Sequence, residues 1–268
     1  MDDLTEDAGE SIDDLELSPR MFNSALSANL TLAKARCLAD PTAELFPTWD
    51  AWVSSMQVGS ALFASAMATE GSVQCRISEK VRTIQATGPQ YYTDASKWIT
   101  AFWLAIICRA YDRMTALAQV PISLLRDSGA VFDEYIYAWI DTLQTWWLRG
   151  GDLGEKLKAA LEGTAPDALQ VADRDEMLKI LYPPINLFLR YIVQDHQQFN
   201  ADLVKTLEWH KDYWSETEER AGNSAGLVAL GPLAIACLAH DAGFPIDVES
   251  EYLPECLLDN SWAGEIDT

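Results

Sequence analysis

Apolar residues recur three and four positions apart along most of this chain. In "MFNSALSANLTLAKARCL" Leu26, Leu30, Ala33 and Cys37 keep that spacing, which predicts a helix from Met21 to Leu38 that ends before Pro41. A second helix starts at Pro47 and Thr48, runs through Trp52, Met56, Phe63 and Met67, and stops at Gly71. Its small residues Gly59, Ser60, Ala61 and Ala64 leave room for a close helical neighbour. The period then shortens to two: Val73, Cys75 and Ile77, followed by Val81 and Ile84, predict an extended or β segment near 72–88.

Helical spacing returns from Thr93 or Asp94 to the residue before Pro121, read as one long helix with a buried first half around Trp98, Phe102 and Ala105. The clearest stripe is Phe132, Tyr135, Ile136, Trp139, Ile140, Leu143, Trp146 and Trp147, ended by Gly150. It assigns one face to the core and leaves Asp133, Glu134 and Asp141 on the wet side. A short helix follows Asp152; another runs from Asp173 to Leu181, breaks at Pro183 and Pro184, and restarts at "INLFLRYIVQ". "FNADLVKTLEWHKDYW" and "SAGLVALGPLAIACLAHDAGF" supply the last substantial helices.

The final stretch is different, because "FPIDVESEYLP" alternates from Ile246 to Tyr252. An extended backbone there puts Asp247, Glu249 and Glu251 on one side and Val248 and Tyr252 on the other. These elements add up to an all-α fold of stacked antiparallel helical hairpins, short and solenoid-like, with minor extended or β segments near 72–88 and 246–252. No 34-residue repeat signature is present. Residues 1–17 read as a disordered acidic leader, and 18–268 as a single helical domain.

Charge changes the picture more than length does. The chain carries 41 acids against 19 bases, a formal net charge of −22. Residues 1–17 hold eight of those acids and no base, so the excess also belongs to the body. Such a field repels phosphate backbones and anionic lipid and attracts basic proteins, which argues against direct nucleic-acid binding. Ten Trp, nine Tyr and eight Phe demand an aromatic core. Five cysteines without CxxC spacing suit a reducing, cytoplasmic setting. Gly226 to Ala239, the longest weakly charged run, contains Pro232 and falls short of the ~20 residues of a membrane helix, so no membrane partner is expected.

Candidate chemistry is sparse. Cys237 and His240 share a helix face, with Asp241 next, which would suit a cysteine nucleophile. A thiol inside "LAIACLA" is more often an inert core group, because reactive cysteines sit in electropositive, partly exposed surroundings. Three histidines, at 196, 210 and 240, come without HExxH, CxxC or a calcium-loop pattern, so no metal or other cofactor is expected. "RGGDLGEK" lacks the ending of a phosphate loop and reads as a helix stop followed by an Asp cap. The stripe at 132–147 is a core face, with one of Trp146 and Trp147 free to act as a surface anchor. That leaves the carboxylates near the C-terminus, either a solvated face or an edge offered to a cationic protein.

Several long blocks, in order, carry a resemblance: "SPRMFNSALSANLTLAKARCL", "WDAWVSSMQVGSALFASAMATEGSVQCRI", "ATGPQYYTDASKWITAFWLAIICR", "QVPISLLRDSGAVFDEYIYAWIDTLQTWW" and "ALGPLAIACLAHDAGFPIDVESEYLPECLL". Over roughly 18–268 the chain resembles the immunity 49 family of bacterial polymorphic toxin systems, in its actinomycete form. The resemblance implies a cytoplasmic, mostly helical protein that binds and neutralises a cognate or invading toxin and has no catalytic step. It supplies no toxin-contact residues, and the acidic leader lies outside its pattern. The expectation is therefore an immunity protein that occludes a basic, nuclease-like toxin. Asp247, Glu249, Glu251 and Tyr252 are the first candidate contacts, and Asp133, Glu134, Asp141 and Trp147 the second. The alternatives are an enzyme using Cys237 and His240, or a helical scaffold for other basic proteins.

Overall fold

The computed structural model describes residues 1–262 and Gly264. Its first element corrects the expected disordered leader, because residues Asp2–Asp13 form helix α1. Leu4, Ala8, Ile12 and Leu15 follow helical spacing, and the last three are buried. The acids occupy the other faces; Asp2 and Asp3 sit in the first turn, where the helix dipole favours negative charge. Polar contacts fix the docking. Asn29 Nδ2 donates to the Ala8 carbonyl at 3.3 Å, Arg82 pairs with Asp13 at 2.7 Å, and the Thr83 N–H donates to Glu16 at 3.1 Å.

Helices α2 (Phe22–Ala39) and α3 (Phe46–Met67) pack along each other. α3 is buried nearly all round, with Trp49, Trp52, Met56 and Phe63 closed to solvent. The close neighbour anticipated at its small residues is real: a Cβ on Gly59 would lie 3.1 Å from that of Ala101. The expected extended segment is a hairpin of β1 (Ser72–Ile77) and β2 (Lys80–Gln85), antiparallel, with Val73 opposite Ile84. Cys75, Ile77 and Ile84 face the core, but so does Arg82, while Val81 is exposed. The inward arginine is matched to the acids of α1 and the turn after it.

The helix expected from 93 to 120 is two, α4 (Ala95–Ile107) and α5 (Tyr111–Ala118), separated where Arg109 takes the left-handed conformation at φ 50°. The short α6 (Ile122–Arg126) leads to α7 (Tyr135–Leu148), and α8 (Leu153–Gly163) is capped by Asp152, whose carboxylate accepts from the Glu155 N–H at 3.0 Å. The break expected at Pro183 and Pro184 does not occur. One turn of α9 (Arg174–Glu176), a π turn (Met177–Leu181) and α10 (Tyr182–Ile192) run on without interruption. The wider π turn directly precedes the residues that lack N–H donors, so the ladder is redrawn instead of ended. Helices α11 (His196–Ser215), α12 (Glu218–Ala221), α13 (Leu230–Asp241) and α14 (Glu255–Leu258) complete the chain.

The stack of hairpins closes on itself. α4 lies between α3 and α13, and α13 also packs on α10. Ser224–Asp241 is long and apolar enough, by length and composition, to cross a membrane. Within it Leu233, Ala234, Ile235, Ala236 and Cys237 are fully buried, which is the exposure pattern of a core helix. The end of the chain returns to the start. The Cys256 N–H donates to the Thr42 carbonyl at 2.9 Å, and the Trp262 indole to that of Ala43 at 3.0 Å.

Candidate partner-binding face

The fold settles the alternative chemistry first. Cys237 is fully enclosed, its Sγ 3.5 Å from the Leu257 carbonyl, and burial pushes its thiol up to about 11, so it stays protonated at neutral pH. Asp241 is committed elsewhere. It accepts from Arg109 Nε at 3.0 Å and from Nη2 at 2.9 Å, while the same guanidinium donates to the carbonyls of Ile107, Leu257 and Leu258 at 2.8, 2.7 and 2.6 Å. "CLAHD" is therefore a latch holding the C-terminal segment to the α4–α5 junction, and His240 lies beside it, partly exposed.

The second set of expected contacts is mostly absorbed by the fold. Asp133, expected to be wet, is buried, because its carboxylate accepts from the N–H groups of Gln170, Val171 and Ala172 at 2.6, 3.1 and 2.8 Å. Burial opposes its charge, but these three donors together outweigh that and hold the carboxyl below the usual range. Glu134 is exposed in a two-pronged pair with Arg126, at 2.9 and 2.6 Å. Asp141 pairs with Lys156. Trp147 stacks on Tyr111 with ring centres 5.9 Å apart and donates to Thr115 Oγ1 at 3.0 Å, which makes it a strut between α5 and α7.

The first set behaves differently. The alternation from 246 onward holds: Asp247, Glu249 and Glu251 are exposed, while Ile246, Val248, Ser250 and Tyr252 are half-buried. The segment has no regular secondary structure up to Ser250, turns at 251–253, and pairs with no strand. It is held at one end by Asn200, which donates to the Pro245 carbonyl at 2.7 Å and accepts from the Asp247 N–H at 3.1 Å. At the other end the Ala229 N–H donates to the Tyr252 carbonyl at 3.2 Å. Tyr252 turns inward, its ring 5.0 Å from that of His210, so it braces the edge and does not project with the acids.

Between this segment and α11 runs a groove of about 380 Å³ whose apolar walls include Val204, Leu207 and Val248 and whose rim carries Glu208, Glu249 and Glu251. Val204 is 44% exposed. Among the described residues no cation lies within ion-pairing distance of Asp247, Glu249 or Glu251. Lys211 also lines the groove. Sequence reading found one wall of this groove and missed the other, since Val204 and Glu208 are unremarkable within a helical stripe. Among the described residues no cluster of His, Cys, Asp and Glu is arranged to hold a metal ion.

The groove thus combines an apolar floor with a rim whose carboxylates have no cationic partner among the described residues. No curated protein and no solved structure matches the chain. The family model for immunity protein 49 matches residues 40–257, four-fifths of the chain and the whole of the groove, although it leaves out α1 and α2. The chain thus belongs to the immunity protein 49 family, whose name describes immunity against toxins.

Proposed function

We infer that this protein neutralises its toxin by stoichiometric binding in the cytoplasm, with the groove between α11 and the 246–252 edge as the docking face. The observation that carries the reading is the set of exposed carboxylates, Asp247, Glu249 and Glu251, without cationic partners beside a part-exposed apolar floor. The other expected contacts, exposed Glu134 and half-buried Asp141, are paired within the chain, whereas no ion pair engages this edge among the described residues. A net charge of −22 steers a basic partner, and the nuclease-like toxins that handle phosphate backbones have positive active faces that suit it. The apolar floor would then hold an aromatic or aliphatic anchor from the toxin, the kind of contact that dominates interface energetics. Binding over the active face occludes it, and no reaction by this chain is needed.

The test combines capture with protection. Bait carrying the triple substitution Asp247→Lys, Glu249→Lys and Glu251→Lys is compared with the unaltered protein in pull-downs from host and neighbouring-strain lysates, and the captured toxin domain is then co-expressed with each. The expected outcome is a basic toxin domain held by the unaltered protein and neutralised in cells. The triple variant, folded by circular dichroism, should lose about tenfold or more in affinity and fail to protect. Protection undiminished by the triple variant would refute the docking face.

A further inference from the structure

A second cavity, of about 230 Å³, lies among α2, α4, α7, the π turn, α11 and α13. Its walls are largely aromatic and aliphatic, Trp103, Trp139 and Trp214 among them, and Lys34 also lines it. Lys34 is only 6% exposed, and among the described residues no carboxylate and no hydrogen-bond acceptor pairs with its ammonium. The Trp214 indole N–H is enclosed without an acceptor and closed to the cavity. Lys34 Nζ is not fully enclosed, so it opens on the cavity, and an ammonium so largely withdrawn from water gains from an acceptor placed there from outside the chain.

The other titratable groups on this cavity cannot supply it. His210 Nε2 is 2.9 Å from the Gly226 carbonyl and must donate there, and burial pushes its imidazole down to about 4, so it is neutral. Lys179 is paired with Asp175 at 2.7 Å. Tyr135 is pushed upward by burial and stays protonated. We propose that this cavity binds a small carboxylate with an apolar body, the carboxylate pairing with Lys34 and the body filling the aromatic wall. The volume is below the ~300 Å³ at which drug-sized ligands begin, which restricts the occupant to about the size of benzoate or hexanoate. The chain's negative field is no bar at contact range, because bulk salt screens it within ~8 Å whereas a buried pair is screened much less. Burial also lowers the Lys34 ammonium to about 8, so it is still mostly charged at pH 7, and an anion beside it would offset the cost of burying that charge. Lys34 precedes the residues matched by the family model, so family membership does not imply this site.

Benzoate and hexanoate are titrated into the full chain by calorimetry at pH 7, with benzyl alcohol as the neutral counterpart and inorganic phosphate as the anion without an apolar body. Both carboxylates should bind, more tightly than benzyl alcohol and phosphate, and Lys34→Met should weaken benzoate by about thirtyfold or more while leaving benzyl alcohol unchanged. Should Lys34→Met fold poorly, the unaltered protein decides the matter: benzoate affinity should fall between pH 7 and 10 as Lys34 loses its proton. Absence of carboxylate binding at pH 7, benzoate affinity equal in Lys34→Met, or affinity independent of pH over that range would each overturn the proposal.

Discussion

His210 packs between Tyr252 and Trp214 and stays neutral in the folded protein, because burial outweighs the bond to Gly226 and holds the imidazole near 4. Once unfolded, it takes up its proton near the ordinary 6.5. Between those values the unfolded chain binds a proton that the folded one refuses, so stability falls as pH drops from about 6.5 towards 4, by about 3 kcal/mol in all. Urea midpoints at pH 7, 5.5 and 4.5 should show that loss in the unaltered protein, and His210→Gln should lack that component. Lys34 gives the same sign in a different window. Its folded value near 8 lies below the unfolded 10.5, so the unfolded chain again holds the extra proton and stability rises with pH between about 8 and 10.5. Lys34→Met should flatten that rise and stabilise the fold at pH 7 by about 2 kcal/mol, read from the same denaturation curves. His210 is one of three histidines weighed for metal binding in the sequence, whereas Lys34 does not stand out there. A lysine within "TLAKARCL" reads as a surface position until the packing of α2 against α3 and the Ser224–Leu227 turn is known.

At the scale of elements, the spacing of apolar residues located α2, α3, the hairpin and the apolar stripe of α7, because each buries a face whose period survives in the sequence. It misplaced boundaries that depend on distant partners. The split between α4 and α5 exists because Arg109 must turn to reach Asp241 and the carbonyls of Leu257 and Leu258, some 130 to 150 residues away. The join through Pro183 and Pro184 rests on a π turn that no periodicity announces. α1 was hidden for another reason, since the eight acids of residues 1–17 masked a four-residue stripe that was in plain sight. Close approach of α13 and α10 supplies a test at this scale: a Cβ on Gly231 would come 2.7 Å from Pro184 Cγ, on a ring that cannot swing aside. Gly231→Ala should cost about 1 to 3 kcal/mol by overpacking, seen as a lower thermal midpoint with the helical signal retained. An unchanged midpoint would mean that the two helices part more easily than their contact implies.

Over the whole molecule, the acids divide by use. Asp13 and Glu16 are spent on Arg82, Asp133 on a loop, Asp241 on the C-terminal latch, Glu134 on Arg126 and Asp141 on Lys156. The 247–251 edge, like the remaining acids of α1, is exposed charge without an ion pair among the described residues, and it alone of these borders the groove against α11. Its period was legible because an extended segment writes its two faces alternately into the sequence. Its opposite wall was not, because Val204 and Leu207 belong to α11 and only the packing of the chain end brings the two together. The net charge of −22 adds long-range steering to this local edge, so association with a basic toxin should slow with salt more than dissociation changes. The most direct measurement is hydrogen–deuterium exchange of the protein alone and saturated with its toxin domain. Slowed exchange across 246–252 and the facing turns of α11 around Val204 to Lys211, with α7 and α8 unaltered, is the expected result. Protection confined to other elements, with those two segments exchanging as in the free protein, would contradict the assignment of the docking face.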